Sequence, residues 1–330
     1  MICVTLARPR HGMMIPEHRA LAERGAELVE LRLDALIRKV DLRRLLRERP
    51  CPVMITCRRP EDGGQFRRGE NERRLLLRAA IAGGADYPSA DYVDLELDVA
   101  GEIPRFGKTK RIVSYHNFQE TPENLDEIHA QLAARDPDIV KLVTLANRPS
   151  DNVRMLKLVL ARNAARVKTV GFCMGEIGLP SRILTGKYGA PFTYASSQKG
   201  LAVAPGQISF DELRGLYRYD AIGPETEVYG VIGDPIAHSL SPLIHNTAFR
   251  EMGLNKVYLP LRVASADLAA FLEDARWLQL KGLSVTLPHK EAVRAFLAEA
   301  DETVQATGAA NTVIDRVVRW VGYNTDGPAA

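Results

Sequence analysis

Several features that mark other protein classes are scarce in this sequence of 330 residues. Its four cysteines, Cys3, Cys51, Cys57 and Cys173, lack CxxC spacing, and its seven histidines lack the spacing of metal ligands. We therefore expect reduced, buried thiols and no metal site. The net charge of +3 is a small remainder of 44 basic and 41 acidic residues, which argues against the dense basic surface of a nucleic-acid-binding protein.

Long hydrophobic runs are also absent from the sequence. No stretch approaches about 18 uninterrupted apolar residues, the length of a membrane-spanning helix. No basic segment precedes the short apolar run at the start of the chain, and no small-residue cleavage pattern is present there, so we expect no signal peptide, no membrane partner and a cytoplasmic location. The 46% of hydrophobic residues can form a large core, in two domains or in one α/β domain with an appendage.

Residues 1–222 alternate short strand-like runs with longer helical patterns, including 16–25, 70–84 and 122–136. This alternation is typical of βαβ units around a parallel sheet. About eight strands are predicted, the number that closes a (β/α)₈ TIM barrel. The predicted strands are 2–7, 27–34, 52–58, 91–98, 111–116, 138–143, 167–173 and 191–196.

The strand pattern restarts at residue 228, and we place a domain boundary near 221–227. A second, smaller α/β domain is predicted over 227–330. Its predicted strands are 228–234, 257–263, 283–287, 311–314 and 317–322, with helices near 241–252, 265–278 and 290–299. No Gly-rich dinucleotide loop follows a strand here, so we expect the chain to lack a nicotinamide-binding domain.

Charged residues interrupt the predicted barrel strands, where nearly continuous Val, Ile and Leu would be usual. Because side chains alternate along a strand, these charges can converge inside the barrel near its C-terminal mouth. This pattern predicts a polar, strongly charged pocket. The residues concerned are Glu30, Arg32, Asp34, Arg58, Asp94, Glu96, Asp98, His116 and Lys141.

Lys141 is the most informative of these residues, because the run IVKLV surrounds it with branched apolar side chains. Burial and nearby cations such as Arg182 and His116 would favour its neutral amine, which can form an imine with a ketone. The alternative is a barrel lysine that only neutralises Glu30 or Glu96, or one that extends to the rim. The other charges at strand ends favour the first interpretation.

His116 ends a strand and is the natural proton carrier, although a buried structural histidine is the alternative. Three arginines on different elements, Arg32, Arg58 and Arg182, could hold an anionic substrate through forked hydrogen bonds. A structural salt bridge is an equal alternative for each arginine taken singly. Their expected convergence carries the interpretation.

The barrel resembles type I 3-dehydroquinate dehydratases over about residues 1–220, through ELVELRLD, ITCRRPEDGG, SYHNF, IVKLV, MGEIGLPSR and APGQI in the family's order. The resemblance implies that Lys141 is the Schiff-base lysine and His116 the general acid/base. The substrate pocket it implies is lined by Glu30, Arg32, Arg58, Asp62, Arg182 and Gln207. Asp62 stands where many relatives have Glu, and Val203 where some have Ser.

The same resemblance implies that 3-dehydroquinate loses water to give 3-dehydroshikimate, without a cofactor. The ketone would condense with Lys141, and His116 would remove the adjacent proton and help the hydroxyl leave. Arg182, with Gln207, would fix the carboxylate. The loop near 199–206 is a candidate lid that excludes water from the imine.

The second domain resembles the substrate-binding domain of shikimate dehydrogenases, through GDPIAHSLSP, LSVTLPHKE, GAANTV and GYNTDG. The resemblance implies that shikimate binds here, its carboxylate on Ser239 and Ser241, its hydroxyls on Thr286, Asn311 and Asp326. Lys290 with Asp326 would assist proton transfer. Taken singly, SLSP is an ordinary capping sequence and NTDG an ordinary turn.

Three other functions stay open at this point. The chain could be a bifunctional dehydratase/shikimate dehydrogenase whose NADP domain is missing, or an inactive protein that binds shikimate-pathway metabolites. A class I aldolase also uses a strand lysine in a barrel, but no Gly-rich phosphate loop follows the last strands. We expect small-molecule substrates, no nucleic-acid partner, and a homodimer as one possible assembly.

Overall fold

A computed structural model describes residues 1–316 and 319–326, which form two units, each built on one sheet. The larger unit is a nearly closed parallel barrel, in which all paired strands are consecutive in the chain except the first and the eighth. Its strands are β1 (Ile2–Leu6), β2 (Leu28–Arg32), β3 (Val53–Thr56), β4 (Tyr92–Glu96), β5 (Lys110–Asn117), β6 (Ile139–Leu145), β7 (Thr169–Met174) and β8 (Thr193–Ser196). This architecture, with a smaller second sheet, confirms the predicted fold class.

The barrel closes through the parallel pairing of β8 with β1, whereas β7 and β8 share no ladder in the described chain. The rings of Phe172 and Tyr194 lie 6.0 Å apart between these two strands. Helices cover the outside of the barrel. They are α1 (His11–Glu23), α2 (Leu42–Leu46), α3 (Glu70–Ala82), α4 (Leu97–Glu102), α5 (Leu125–Ala133), α6 (Ser150–Ala164) and α7 (Gly175–Leu184).

The inside of the barrel changes from apolar to polar along its strands. On β6, for example, Ile139 belongs to the inner apolar cluster, and Lys141 follows two residues later on the same face. On β4 and β5 the corresponding polar positions are Asp94 and Ser114. Since a period of two keeps side chains on one face, the charges predicted from the sequence collect at the C-terminal half of the interior.

The second unit has a six-stranded mixed sheet in the order β10-β9-β11-β13-β14-β12, in which β13 runs antiparallel to both neighbours. Its helices are α8 (Ser241–Glu251), α9 (Leu268–Trp277) and α10 (Glu302–Thr307). Its strands are β9 (Glu227–Gly233), β10 (Lys256–Arg262), β11 (Leu280–Val285), β12 (Glu299–Ala300), β13 (Thr312–Asp315) and β14 (Trp320–Tyr323). Residues 317–318 of the predicted strand 317–322, and the last four residues of the predicted domain 227–330, lie outside the described residues.

The helix predicted at 290–299 is wrong. The structure has a 3-10 turn at Ala292–Phe296, after which the chain becomes strand β12. The backbone N–H of Ala298 donates to the carbonyl of Trp320, so pairing with β14 overrides the helical propensity of this segment. Helix α10 is not among the predicted helices; the carboxylate of Asp301 caps its first turn by accepting the N–H of Val304 at 2.9 Å.

The fourth strand is shorter than predicted, because β4 ends at Glu96 and the period-two pattern does not continue to Asp98. Asp98 lies in α4, and its carboxylate binds Arg59 at 2.7 Å outside the barrel interior. Asp34 lies in a 3-10 turn after β2. The first helix was also placed too late, because α1 begins at His11 and carries Pro16 in its interior.

Several contacts join the barrel to the second unit, among them a salt bridge between Glu176 and Arg262 at 2.9 Å. Lys187 is buried and donates to the carbonyls of Pro224 and Thr226 in the connecting segment. The rings of Tyr188 and Trp277 stack with centroids 5.0 Å apart. No helix in the described part of the chain is long and apolar enough to cross a membrane.

A buried histidine on α1 predicts a pH dependence of stability. Burial, with the positive charge of Arg49, lowers the pKa of His18 from 6.5 to about 4. Between these values the unfolded chain binds more protons than the folded chain, so stability falls as the pH drops through this window. We expect His18→Leu to reduce the slope of the free energy of unfolding against pH in this window, by up to about 1.4 kcal/mol per pH unit.

The measurement is urea unfolding at several pH values between neutrality and the lowered pKa. His238→Gln, at an exposed position, is the control and should keep the wild-type slope. A wild-type slope in His18→Leu would show that His18 is not the group responsible.

Candidate active site

All eight residues predicted for the barrel site line one cavity at the C-terminal half of the interior. They are Glu30, Arg32, Arg58, Asp62, His116, Lys141, Arg182 and Gln207. Six different strands or the segments that follow them supply these side chains. The sequence pattern therefore brought together residues up to 177 positions apart, as the closure of a parallel barrel requires.

Lys141 lies on β6, buried to 4% exposure, and its Nζ donates to Asp94 Oδ2 at 2.8 Å. Nζ also lies 4.2 Å from the centre of the Tyr194 ring. Its carboxylate partner is thus Asp94, not Glu30 or Glu96. The strand pattern marks Asp94 as an inward charge but does not assign it to the site.

Asp94 is held in its ionised form by two cations. Burial works to raise the pKa of Asp94, but the charges of Arg58 and Lys141 outweigh it and hold the pKa well below its usual value. Arg58 Nη2 contacts Asp94 Oδ1 at 2.8 Å, and Ser114 donates its hydroxyl to the same oxygen. One carboxylate therefore fixes both Arg58 and Lys141.

His116 lies one inward position beyond Ser114 on β5, next to the strand of Lys141. Its Nδ1 is buried without a hydrogen-bond partner among the described residues. Burial, reinforced by the charges of Arg58 and Lys141, lowers the pKa of His116 well below its usual value. The ring is therefore neutral at pH 7 and can accept a proton.

The three arginines differ in their pairing. Arg32 binds the carboxylate of Asp34 at 2.7 and 2.9 Å, and Arg58 is bound by acidic side chains. Among the described residues Arg182 has no acidic partner: Nη1 contacts the carbonyl of Tyr194 at 3.3 Å, while Nε and Nη2 are buried and unpartnered. Burial lowers the pKa of Arg182 to about 9, so it stays charged at pH 7 and offers free donors to an anion.

The remaining pocket residues are held by short polar contacts. Each carboxylate oxygen of Glu30 accepts a hydrogen bond from a hydroxyl, one from Thr5 at 2.8 Å and the other from Thr56 at 2.7 Å. Asp62 pairs with Arg59 on the same loop. Thr5 and Thr56 were not identified from the sequence, because threonine in a strand gives no signal of a functional role.

The predicted lid carries Gln207 over the cavity. Gln207 Oε1 accepts the N–H of Val203 at 2.9 Å, and its Nε2 reaches the hydroxyl of Thr5 at 3.4 Å. Gly206 has φ +67°, and a Cβ there would lie 2.3 Å from the carbonyl oxygen of Gly175. Only glycine allows this close approach of the loop to the start of α7.

A second cavity lies in the other unit and contains all six residues predicted for it, together with His238, Ser284, Thr312 and Thr325. The predicted six are Ser239, Ser241, Thr286, Lys290, Asn311 and Asp326. The ammonium of Lys290 pairs with the carboxylate of Asp326, and hydrogen bonds from Lys290 and Asn311 lower the pKa of Asp326. Asn311 also donates to the hydroxyl of Thr325 at 2.9 Å, a residue that the sequence analysis did not single out.

Comparison with known proteins finds a family model that matches each unit. The family model for type I 3-dehydroquinase matches residues 2–224, and the model for the shikimate dehydrogenase substrate binding domain matches residues 231–313. A bifunctional 3-dehydroquinate dehydratase/shikimate dehydrogenase of Arabidopsis thaliana is 40% identical over 99% of this chain and 55% of its own length. The chain thus spans about half of that relative.

Two further relatives support the same division. A 3-dehydroquinate dehydratase of Thermococcus gammatolerans is 41% identical over 59% of this chain and 89% of its own length. A solved structure described as dehydroquinate dehydratase and shikimate dehydrogenase from S. pombe has a TM-score of 0.54 at 25% identity. It covers 98% of this chain and 64% of that one.

The contrast between paired and unpaired arginines predicts opposite effects on stability. Arg58→Met would leave Asp94 and Glu96 buried without their shared cation, and should lower the free energy of unfolding by about 3 kcal/mol. Arg182→Met removes a buried charge that has no acidic partner among the described residues, and should raise the free energy of unfolding by about 1 kcal/mol. Urea unfolding of the two variants and the wild type measures both. A loss of stability in Arg182→Met as large as that in Arg58→Met would contradict this account.

Proposed function

The chain belongs to the type I 3-dehydroquinase family, and from this premise we propose that its barrel, predicted over residues 1–222, converts 3-dehydroquinate to 3-dehydroshikimate and water. The observation that carries the proposal is the cavity itself. It combines a buried lysine on a strand, a neutral histidine beside it, and a buried arginine with free donors. The lysine can form an imine with a ketone, the histidine can accept a proton from the neighbouring carbon, and the arginine can bind a carboxylate.

The reaction begins with condensation of the substrate ketone and Lys141. The attacking amine must be neutral, so the proton that Nζ shares with Asp94 has to leave before or as the substrate binds. Loss of water from the carbinolamine gives a cationic iminium, which takes the place of the ammonium beside the Asp94 carboxylate. The charge balance of the site is therefore the same before and after imine formation.

The iminium then draws electrons from the neighbouring carbon and acidifies its proton. His116 accepts this proton because its ring is neutral, and the resulting imidazolium donates to the departing hydroxyl. Hydrolysis of the imine releases the product and restores the amine. Every step transfers protons or water, so the dehydration needs no redox cofactor, and we propose none.

Arg182 binds the substrate carboxylate in this proposal, with Gln207 of the lid closing above it. A carboxylate would supply the partner that Nε and Nη2 lack, which favours binding of the substrate in one orientation. The lid would exclude bulk water while the imine exists. Class I aldolase chemistry is not favoured, because the family match is to dehydratases.

For the second unit we propose binding of shikimate or 3-dehydroshikimate. The convergence of Ser239, Lys290 and Asp326 in one cavity supports this, since hydroxyl, ammonium and carboxylate groups suit a polyhydroxylated carboxylic acid. Hydride transfer would also need a nicotinamide held by a dinucleotide-binding fold, and for this unit we propose ligand binding alone. A cytoplasmic location and a homodimer stay predictions from the sequence.

The dehydratase proposal is tested with Lys141→Ala and His116→Ala. Borohydride added with 3-dehydroquinate should reduce the imine to a stable adduct on Lys141 in the wild type, detected by peptide mass spectrometry. Lys141→Ala should lose turnover, followed by the ultraviolet absorbance of the conjugated product, while it stays folded. His116→Ala should still form some adduct but turn over at least about a hundredfold more slowly.

The control for this experiment is Lys187→Ala, which changes a buried lysine outside the cavity and should leave the adduct on Lys141. Substantial turnover by Lys141→Ala would overturn the imine mechanism. A wild-type protein that neither turns over nor forms an adduct would instead favour a protein that only binds metabolites.

Binding by the second unit is tested by calorimetry with shikimate. We expect Lys290→Met to weaken binding by about tenfold or more, because the ammonium donates to the ligand as well as to Asp326. Lys256→Met, which loses a surface pair with Glu227, is the matched control and should bind normally. Equal affinities in the wild type and in Lys290→Met would contradict the assignment.

A further inference from the structure

A row of six alternating charges connects the outer helix α3 to Lys141 inside the barrel. It begins at Glu70 and Arg73 on α3, where Arg73 Nε binds Glu70 Oε2 at 2.8 Å. Arg73 Nη1 then binds Glu96 Oε2 at 2.8 Å, and the other oxygen of Glu96 accepts from Arg58 Nη1 at 2.8 Å. Arg58 continues to Asp94, and Asp94 to Lys141, each at 2.8 Å.

Arg73 is the link between the outer and inner parts of this row. Its side chain is completely buried, although it starts from a helix on the outside of the barrel. The same Nη1 also donates to the carbonyl of Cys57 at 2.8 Å, the residue before Arg58. Arg73 therefore fixes both the carboxylate that holds the Arg58 side chain and the backbone from which Arg58 projects.

The row places a geometric constraint on the reacting nitrogen. Asp94 contacts Lys141 through one oxygen and Arg58 through the other, so a shift of Arg58 moves the carboxylate that holds Nζ. Glu96 has one oxygen on each arginine and would follow Arg58 if Arg73 were lost. Because buried charges leave little freedom for compensation, displacement at Arg73 would pass along the row to Lys141.

We propose that Arg73 is a positioning residue for the imine-forming lysine, acting through Glu96, Arg58 and Asp94. This inference rests on the dehydratase function proposed above. Arg73 does not line the cavity, and it should therefore affect the chemical steps at Lys141 rather than the affinity for substrate. A residue that only holds α3 against the barrel would alter stability and leave the turnover of folded protein unchanged.

The test compares two substitutions at Arg73 with the same two at Arg111, in the full chain. Arg111 is also a buried arginine, but within residues 1–316 and 319–326 its guanidinium donates only to backbone carbonyls, those of Ala100, Ile103 and Arg135. Glutamine removes the charge at either site, and lysine keeps it. Urea unfolding and circular dichroism establish that each variant is folded under the assay conditions.

We expect Arg73→Gln to lower kcat by about tenfold or more while KM changes by less than about threefold, since small displacements of a reacting group have effects of this size. The rate at which borohydride traps the Lys141 adduct should fall with kcat. Arg73→Lys should recover only part of the loss, because its ammonium can still pair with Glu96 but cannot also hold Glu70 with a forked pair. Arg111→Gln and Arg111→Lys should have wild-type kinetics.

Three outcomes would overturn the inference. They are a folded Arg73→Gln with wild-type kcat, a change confined to KM, or an equal loss of kcat in Arg111→Gln. If Arg73→Gln does not fold, the comparison of Arg73→Lys with Arg111→Lys decides, and equal kcat values would overturn it. A wild-type protein without dehydratase activity refutes the proposed function instead, so the two failures are distinguishable.

Discussion

The ion pair between Lys141 and Asp94 is the contact on which the rest of the barrel interior depends. A lysine buried to 4% exposure is tolerable only when an opposite charge accompanies it. Asp94 is itself buried and needs Arg58, and Arg58 needs Glu96. The site is therefore a neutral assembly of charges that the barrel can enclose, with its reactive amine at one end.

Arg182 is the counterpart to this balanced row. It is buried in the same cavity with no acidic partner in the part of the chain that the structure describes, while Arg32 and Arg58 are neutralised by protein carboxylates. A buried unpaired charge lowers stability, and a substrate carboxylate would remove that penalty on binding. The cavity thus separates two tasks, with compensated charges around the reacting nitrogen and an uncompensated charge where an anion would lie.

Much of this arrangement was predictable from the sequence for two physical reasons. A charged residue inside a run such as IVKLV has to face an interior pocket, and period-two alternation in parallel strands places Glu30 and Lys141 on the same inner surface. Pairing was not predictable, because the partner of Lys141 depends on strand register across the barrel. The role of Arg73 was also not predictable, for a different reason. Arg73 lies in a helical pattern typical of a surface helix, and nothing in such a pattern indicates that one side chain turns inward. The helix predicted at 290–299 was wrong because pairing with a distant strand overrode the helical propensity of this segment.

The most direct test of the account is a crystal structure of the protein trapped with 3-dehydroquinate. We predict continuous density from Lys141 Nζ to the former ketone carbon, with the ligand carboxylate on Arg182 and Asp94 still bound to Arg58. Substrate held without a covalent bond to Lys141, or attached to another lysine, would contradict the central claim.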